Sequence, residues 1–395
     1  MRQFVLAATL SPMALLASCG NAASGDSAQT QSTPMPSETI SVSSGQDLNA
    51  QDYGTFDEPW AAEFAPGTEK LFITERGGTI KFVDTANGTQ GTVTGAPEVD
   101  YGGQGGLGDI AFLPSESSSS LDRRTIYLSW AEAGEGDTRG AVVGRGTLEC
   151  AQTNACAIEG LEVIWRQAPK VTGRGHYSHR LAFSPDERYL FVASGDRQKM
   201  QPAQDTSNNL GSIVRLNLDG STAAGNPLAG EGGISAQLWS WGHRNILGLQ
   251  FDGQGRLWDL EHGPAGGDEL NLVQSGGNYG WPEVSGGDHY DGKPIPRNST
   301  RDDFIKPAVN WTPVIAPGDF IFYSGDQFAG WKGAAVIAAM KPSALVVVTI
   351  DGESARETQR IPFEKRLREI VQGPDGAIWV LEDKEGGRLL KLTPG

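Results

Sequence analysis

Residues 180–196 read RLAFSPDERYLFVASGD. Two short runs alternate apolar with polar or small residues, and Ser184-Pro185-Asp186 begins the turn between them. Period-two alternation on both sides of Pro and Asp predicts a β-hairpin, because side chains of a strand point alternately to its two faces. The same unit recurs as 61–83 (AAEFAPGTEKLFITERGGTIKFV), 108–133, 248–263 (GLQFDGQGRLWDLEHG), 319–340 and 369–394. No stretch shows a sustained helical period. Six similar units, roughly 50 to 70 residues apart, are the mark of a repeat fold in which each small sheet covers its faces only by stacking on its neighbours. The expected architecture is all-β: a six-bladed β-propeller with its active site in the central channel, occupying 51–395. A β-sandwich would not require six similar units.

Composition agrees with this reading. Among 395 residues there are 53 glycines and 10 tryptophans, which suits tight turns joining short aromatic strands. The net charge of −16 excludes an extended nucleic-acid interface, since phosphate binding needs a basic face.

The chain opens MRQFVLAATLSPMALLASCG. Arg2 precedes an apolar run too short to span a bilayer, which reads as an export signal over 1–18. Leu16-Ala17-Ser18-Cys19-Gly20 resembles a bacterial lipobox, with Cys19 as the lipidated first residue and Gly20 directing the protein to the outer membrane, facing the periplasm. A plain signal peptide is the alternative. Residues 19–50 are poor in large apolar side chains and read as a flexible tether. The membrane is then a partner through the lipid anchor only. In an oxidising periplasm, Cys150 and Cys156 suit a local disulfide; a metal site is the alternative, although no histidine lies within ten residues.

Two motifs fail on context. Gly103-Gln104-Gly105-Gly106-Leu107-Gly108 fits GxGxxG, but a strand-like segment follows where a dinucleotide site needs a helix N-terminus. Gly287 to Lys293 has P-loop spacing, but Pro294 stands where the magnesium-binding hydroxyl belongs. The nucleophile-elbow motif GxSxG does not occur.

Taken with the repeats, GGQGGLGDIAFLP (102–114), GHYSHRLAFSPD (175–186), GSIVRLNLDGS (211–221), WGHRNILGLQFD (241–252), EHGPAGGDELNLV (261–273), GGNYGWP (276–282), NWTPVIAP (310–317) and RLREIVQGPDGAIWVLED (366–383) resemble a known family. It is the soluble pyrroloquinoline quinone (PQQ) dependent sugar dehydrogenases, of glucose/sorbosone dehydrogenase type and closest to the bacterial aldose sugar dehydrogenases. The resemblance covers roughly 55–395. It implies oxidation of the C1 hydroxyl of an aldose to the lactone, hydride passing to PQQ with a His base and electrons then to an external acceptor. The implied cofactors are PQQ and Ca²⁺.

The residue types suit that chemistry. PQQ carries three carboxylates, and Arg244, Lys341, Arg366 and Arg368 fall in or beside the matched segments; singly, each would be read as a solvated surface cation. The resemblance implies that His176 is the base and that Gln104 and Asn245 are binding amides. It also implies that the carbonyls of Gly263 and Pro264 hold calcium, and that Glu261, Asp268, Glu269 and Tyr279 are candidates for a second ion. Turn and cap carboxylates are the alternative for these acids. Trp311 is either a wall beside the sugar or a core tryptophan. His243 and His262 read as scaffold and His289 as loop. The chain also departs from the family's pattern. His179 stands where the family usually has glycine, Gly175 replaces an acid that precedes the base in the glucose branch, and Ala308 replaces a tyrosine.

Two other functions fit a propeller: a calcium-dependent lactonase, which needs carboxylates on the axis, and a non-catalytic propeller that binds glycans or proteins.

Overall fold

The computed structural model describes residues 37–40 and 47–395. These form six four-stranded antiparallel blades around an axis, and the only helical pieces among the described residues are short 3₁₀ turns. Blade one is Pro59–Phe64, Lys70–Glu75, Thr79–Asp84 and Thr89–Thr94; blade two is Leu107–Phe112, Arg123–Ala133, Arg139–Gln152 and Ala155–Arg166. Blades three, four and five begin with Ser178–Phe183, Ile246–Phe251 and Pro317–Phe322, and each runs outward through three further strands. Blade six has Leu367–Gln372 innermost, then Ile378–Glu382 and Gly387–Pro394, and takes its outer strand, Leu48–Phe56, from the beginning of the chain. That pairing runs from Leu48 opposite Pro394 to Phe56 opposite Gly387 and closes the ring.

Each of the six recognised units is the inner hairpin of one blade. The boundary expected at residue 50 falls inside a strand, because Leu48–Phe56 pairs in blade six and Ser37–Ile40 adds to its outer edge. The signal segment 1–18 and Cys19 lie outside the described residues.

The core explains why the ring holds together. Each blade interface has one apolar cluster, built from the alternate residues that face the neighbouring blade. Phe72, Phe82, Phe112 and Leu128 pack between blades one and two, and Trp258, Leu270, Phe320 and Ile337 between blades four and five. Aromatic side chains this size each bury on the order of 150–250 Å², so these six clusters dominate the stability of a fold whose blades could not stand alone. Cys150 and Cys156 are disulfide-bonded across the turn joining the two outer strands of blade two.

One irregularity repeats in every blade. Near the start of each innermost strand the register slips by one residue: Pro59 faces Glu75 but Ala61 faces Thr74, and Leu367 faces Glu382 but Glu369 faces Leu381. Equivalent shifts follow Leu107, Ser178, Ile246 and Pro317. A bulge inserts one unpaired residue and re-aims its side chain. Trp60, Gly108, His179, Leu247, Gly318 and Arg368 lie within these bulges, and four of them, Trp60, His179, Leu247 and Arg368, line one cavity.

Candidate active site

A cavity opens at this ring of bulges. It is lined by Trp60, His179, Leu247 and Arg368 from the bulges, by Gln104, Asn245 and Tyr177 from the loops above, and by Arg76, Arg366, Lys384 and His262. Among the described residues its lining includes four cations and no carboxylate, in a protein of net charge −16. Arg366 and Arg368 share one counter-ion: Asp383 accepts from Arg366 Nε at 2.8 Å, and from Arg368 Nε at 3.0 Å and Nη2 at 2.9 Å. Two guanidiniums on a single carboxylate leave positive charge to spare. Lys341 follows the lining residue Met340 directly; it is exposed, and its ammonium is in no ion pair among the described residues.

His176 stands beside this cavity, 6% exposed. Gln104 Oε1 accepts its backbone N–H at 2.6 Å, and its Nδ1 lies 2.7 Å from Asp196 Oδ1. Asp196 is fully buried and also accepts from Trp281 Nε1 at 2.8 Å and from the Gln198 backbone N–H at 2.8 Å. Burial raises the Asp196 carboxyl, but the bonds from His176 and Trp281 outweigh it and leave its pKa below the ordinary value. An ionised Asp196 fixes the imidazole proton on Nδ1 and leaves Nε2, which has no partner among the described residues, as a lone-pair acceptor. Burial is the main influence on His176 itself and lowers its pKa; Asp196 opposes this and Arg244 adds to it. Asp196, which sequence reading did not single out, is thus the carboxylate that holds the His176 ring.

The backbone here is unusual. His176, Ser178, His179, Arg197, Gln198 and Ala316 take φ between 47° and 59°, a region that non-glycine residues seldom adopt and that clusters at functional sites.

Arg244 lies in an adjoining cleft with Glu261, Glu269, Gly263, Pro264, Tyr279 and Trp281. Its backbone N–H donates to Glu261 Oε2 at 2.6 Å and its Nη1 to His262 O at 2.9 Å, while its buried Nε has no partner. Asp268 shapes the neighbouring turn: Oδ1 accepts from Gly263 N–H at 2.9 Å and Oδ2 from Ala316 N–H at 2.6 Å, with burial pushing its pKa up to about 6. A Cβ at Gly263 would stand 2.1 Å from Gly266 O, so the turn requires glycine. The carbonyls of Gly263 and Pro264 accept no hydrogen bond among the described residues. Two free oxygens on a rigid turn suit a hard cation whose remaining ligands come from a bound molecule.

The second-ion candidates Glu261, Asp268, Glu269 and Tyr279 are all buried and hydrogen-bonded. The Tyr279 hydroxyl donates to Leu272 O at 2.6 Å and accepts from Gln274 N–H at 2.8 Å. Asp268 has both oxygens on backbone N–H groups, and Glu261 holds Arg244 and Asn271. Glu269 is bonded through one oxygen to Asn298 at 3.2 Å, and Glu261 lies with His243 and Asp259 in a buried group whose ligand atoms are close enough to hold a metal ion.

Trp311 is not brought to the cavity. It packs in the core between blades four and five, and its Nε1 donates to Glu357 at 2.8 Å, because strand Val309–Trp311 is the outermost of blade four.

His243 stacks on Tyr279 with ring centres 4.4 Å apart, and its buried Nδ1, 3.5 Å from both Asp259 and Glu261, has no hydrogen-bond partner among the described residues; His262 Nε2 bonds Pro317 O at 2.6 Å. His179 stacks on Trp60 at 4.9 Å, with Nδ1 2.9 Å from Ser129 Oγ. Burial, with help from the Arg180 charge, lowers its pKa to about 3, so it is neutral near pH 7.

Further along the same inner strands the axis does carry carboxylates, Asp109, Asp319 and Glu369. They close on Arg180, whose guanidinium lies 3.2, 3.7 and 2.7 Å from them. A lactonase would need that axis for calcium, and here an arginine fills it.

Residues 56–391 match the glucose/sorbosone dehydrogenase family. The chain belongs to it. It is 34% identical over 345 residues to aldose sugar dehydrogenase YliI of Escherichia coli, covering 86% of this chain and 90% of that one. It is 26% identical to quinoprotein glucose dehydrogenase B of Acinetobacter calcoaceticus, covering 83% and 84%. The apo-form crystal structure of the soluble E. coli aldose sugar dehydrogenase superposes with a TM-score of 0.81 at 33% identity, covering 88% of this chain and all of that one. Membership makes the chain an oxidoreductase of the sugar dehydrogenase type, on a propeller fold.

Proposed function

We propose that this family member oxidises the C1 hydroxyl of aldose sugars to the lactone with PQQ and Ca²⁺, and delivers the electrons to an external acceptor. The observation that carries this reading is the cation-only cavity in an acidic protein. A tricarboxylate needs several cations: Arg366 and Arg368 line the cavity, Lys341 follows its lining residue Met340, and Arg244, with its unpartnered Nε, lies in the adjoining cleft. Gly263 and Pro264 would hold the calcium through their free carbonyls. The name of the Acinetobacter relative, a quinoprotein, supports the same cofactor.

When bound, PQQ supplies the two-electron acceptor and calcium the Lewis acidity that the oxidation requires. The chain's own contribution is to bind, orient and deprotonate. Gln104 fixes the His176 backbone, Asp196 fixes its ring, and Nε2 takes the C1 hydroxyl proton as the base. Neither a lactonase nor a binding propeller needs this base and these cations together.

Mixing purified protein with calcium, PQQ, an aldose and a dye acceptor should reduce the dye, and chelating the calcium should stop it. Arg368→Ala and Lys341→Ala should each weaken PQQ binding tenfold or more, since a charge-assisted hydrogen bond contributes about 1.5–3 kcal/mol. Unchanged titration curves in both variants would remove these residues from the site.

Cys19 extends the proposal to the cell: diacylation there would anchor the enzyme stably in the outer membrane, facing the periplasm, because two acyl chains hold where one does not. Cys19→Ala should move the protein to the soluble periplasmic fraction, and retention in the membrane would refute the anchor.

A further inference from the structure

The second and third strands of blade four, Leu257–Glu261 and Asp268–Leu272, carry a buried polar face. Leu257 packs toward blade three, while Trp258 and Leu260 pack toward blade five. Side chains of a strand alternate between its faces, so Asp259 and Glu261 also point toward blade three. Across the ladder Asn271 stands opposite Asp259, and Glu269 opposite Glu261. His243, from the connection that enters blade four, meets this face. His243, Asp259 and Asn271 are 0% exposed and Glu261 is 4% exposed.

Three polar atoms here have no hydrogen-bond partner among the described residues: His243 Nδ1, Asp259 Oδ2 and Asn271 Oδ1. Buried polar atoms are costly to leave so, and three on one face call for a common partner. The geometry around His243 shows which kind. Its Nδ1 lies 3.5 Å from Asp259 Oδ2 and 3.5 Å from Glu261 Oε1. That is long for an N–H···O bond, which runs at about 2.7–3.2 Å. It matches two ligands on one tetrahedral ion, which stand about 3.4 Å apart when each bond is about 2.1 Å. All three ligand atoms lie within 4.8 Å of one another.

The surroundings hold these ligands in place. His243 Nε2 is 2.9 Å from Ser240 Oγ, and Asn271 Nδ2 donates to Asp259 Oδ1 at 3.1 Å and to Glu261 Oε1 at 3.2 Å. Outer partners of this kind orient the ligands of a metal. Charge points the same way. Neither carboxylate pairs with a lysine or arginine among the described residues, and buried carboxylates need a compensating positive charge.

We infer that His243 Nδ1, Asp259 Oδ2 and Glu261 Oε1 form a buried structural site for a divalent transition-metal ion of the zinc class. It is separate from the calcium-type carbonyls of Gly263 and Pro264. An imidazole nitrogen among the ligands favours zinc over calcium, which takes oxygen. The ion would brace the cofactor cleft from behind. Arg244 directly follows His243, Glu261 Oε2 accepts the Arg244 N–H at 2.6 Å, and Gly263 lies two residues beyond Glu261. Because the group is fully buried, the ion enters as the chain folds.

The test needs neither PQQ nor a sugar, so it stands apart from the oxidation reading. The full chain, expressed with added zinc and then treated with a chelator, should retain about one zinc per molecule by elemental analysis. Expressed with added cobalt, it should show the visible absorption of a tetrahedral cobalt ion. Asp259→Asn, which keeps the shape of the side chain, should cut the retained zinc at least tenfold, and His243→Gln should do the same. The zinc-loaded chain should also unfold at a higher temperature than the metal-free chain, with the gap closing in Asp259→Asn. Circular dichroism checks the fold of each variant; if His243→Gln does not fold, Asp259→Asn and the cobalt spectrum carry the test. Zinc retained equally by the variants would mark adventitious surface binding and overturn the site, as would calcium retained in place of zinc. Wild-type protein without a transition metal, its His243 doubly protonated by NMR, would overturn it too and mark a buried ion pair.

Discussion

His176→Ala should lower turnover by about 10²–10⁴-fold while PQQ and calcium still bind, because loss of a positioned base removes that much of the rate. The pH profile gives the sharper check. The base must be unprotonated, and burial holds the pKa of His176 below the ordinary imidazole value. Activity should therefore be flat at and above neutrality and fall only as the pH drops through that lowered pKa. Asp196→Asn should cost on the order of 10²-fold by releasing the ring. It should also move the acid limb lower still, since Asp196 raises the pKa of its partner. A merely structural role for Asp196 would lower the rate without moving the limb. His179→Gly should keep more than a tenth of wild-type turnover, because a ring with a pKa of about 3 is a poor proton acceptor. If His179 proves essential and His176 dispensable, the base has been assigned to the wrong histidine.

The way Asp196 escaped sequence reading shows where such reading stops. The inner hairpin of blade three is plain in RLAFSPDERYLFVASGD, and its turn pairs Phe183 with Leu190. Counting back from that pairing without interruption sets His176 opposite Arg197, with Asp196 on the other face. The bulge after Ser178 shifts the count by one, so that Ser178 faces Ser194 and the line continues to His176 and Asp196. A one-residue slip exchanges the faces of a strand. Blade number, hairpin positions and the cavity-lining Arg366 and Arg368 were legible, because alternation, turn chemistry and motif residues are local. The closing strand Leu48–Phe56 was not, since its pairing with Gly387–Pro394 spans the whole chain and its sequence LNAQDYGTF hardly alternates. Trp311 shows the same limit, because neither alternation nor motif says which end of a short outer strand reaches the axis.

The bulge ring also makes a prediction about His179 that needs no cofactor. Gly108 and His179 occupy the same bulge position in adjacent blades. A Cβ at Gly108 would lie 2.0 Å from both Cε1 and Nδ1 of the His179 ring. The ring cannot give way easily, being stacked on Trp60 and bonded to Ser129. Gly108 has an ordinary backbone conformation, so the objection to a side chain there is steric alone. Gly108→Ala should then destabilise the fold by about 3 kcal/mol, at the upper end of overpacking costs. His179→Gly should also destabilise it, by leaving a void beside Trp60, although glycine suits the φ of 54° at that position. The double variant is the informative one. Without the imidazole the new methyl has room, and Ser129 Oγ, 2.8 Å from the added Cβ, is free to rotate away. Urea unfolding should find the pair coupled by at least about 1.5 kcal/mol, with the double variant more stable than the sum of the two single changes. The physical content is that the histidine fills the volume that a side chain at 108 would take, so the two positions can change together more easily than apart. Strict additivity of the two changes would show instead that the clash at Gly108 is relieved by the backbone, and that His179 is in the cavity floor for another reason.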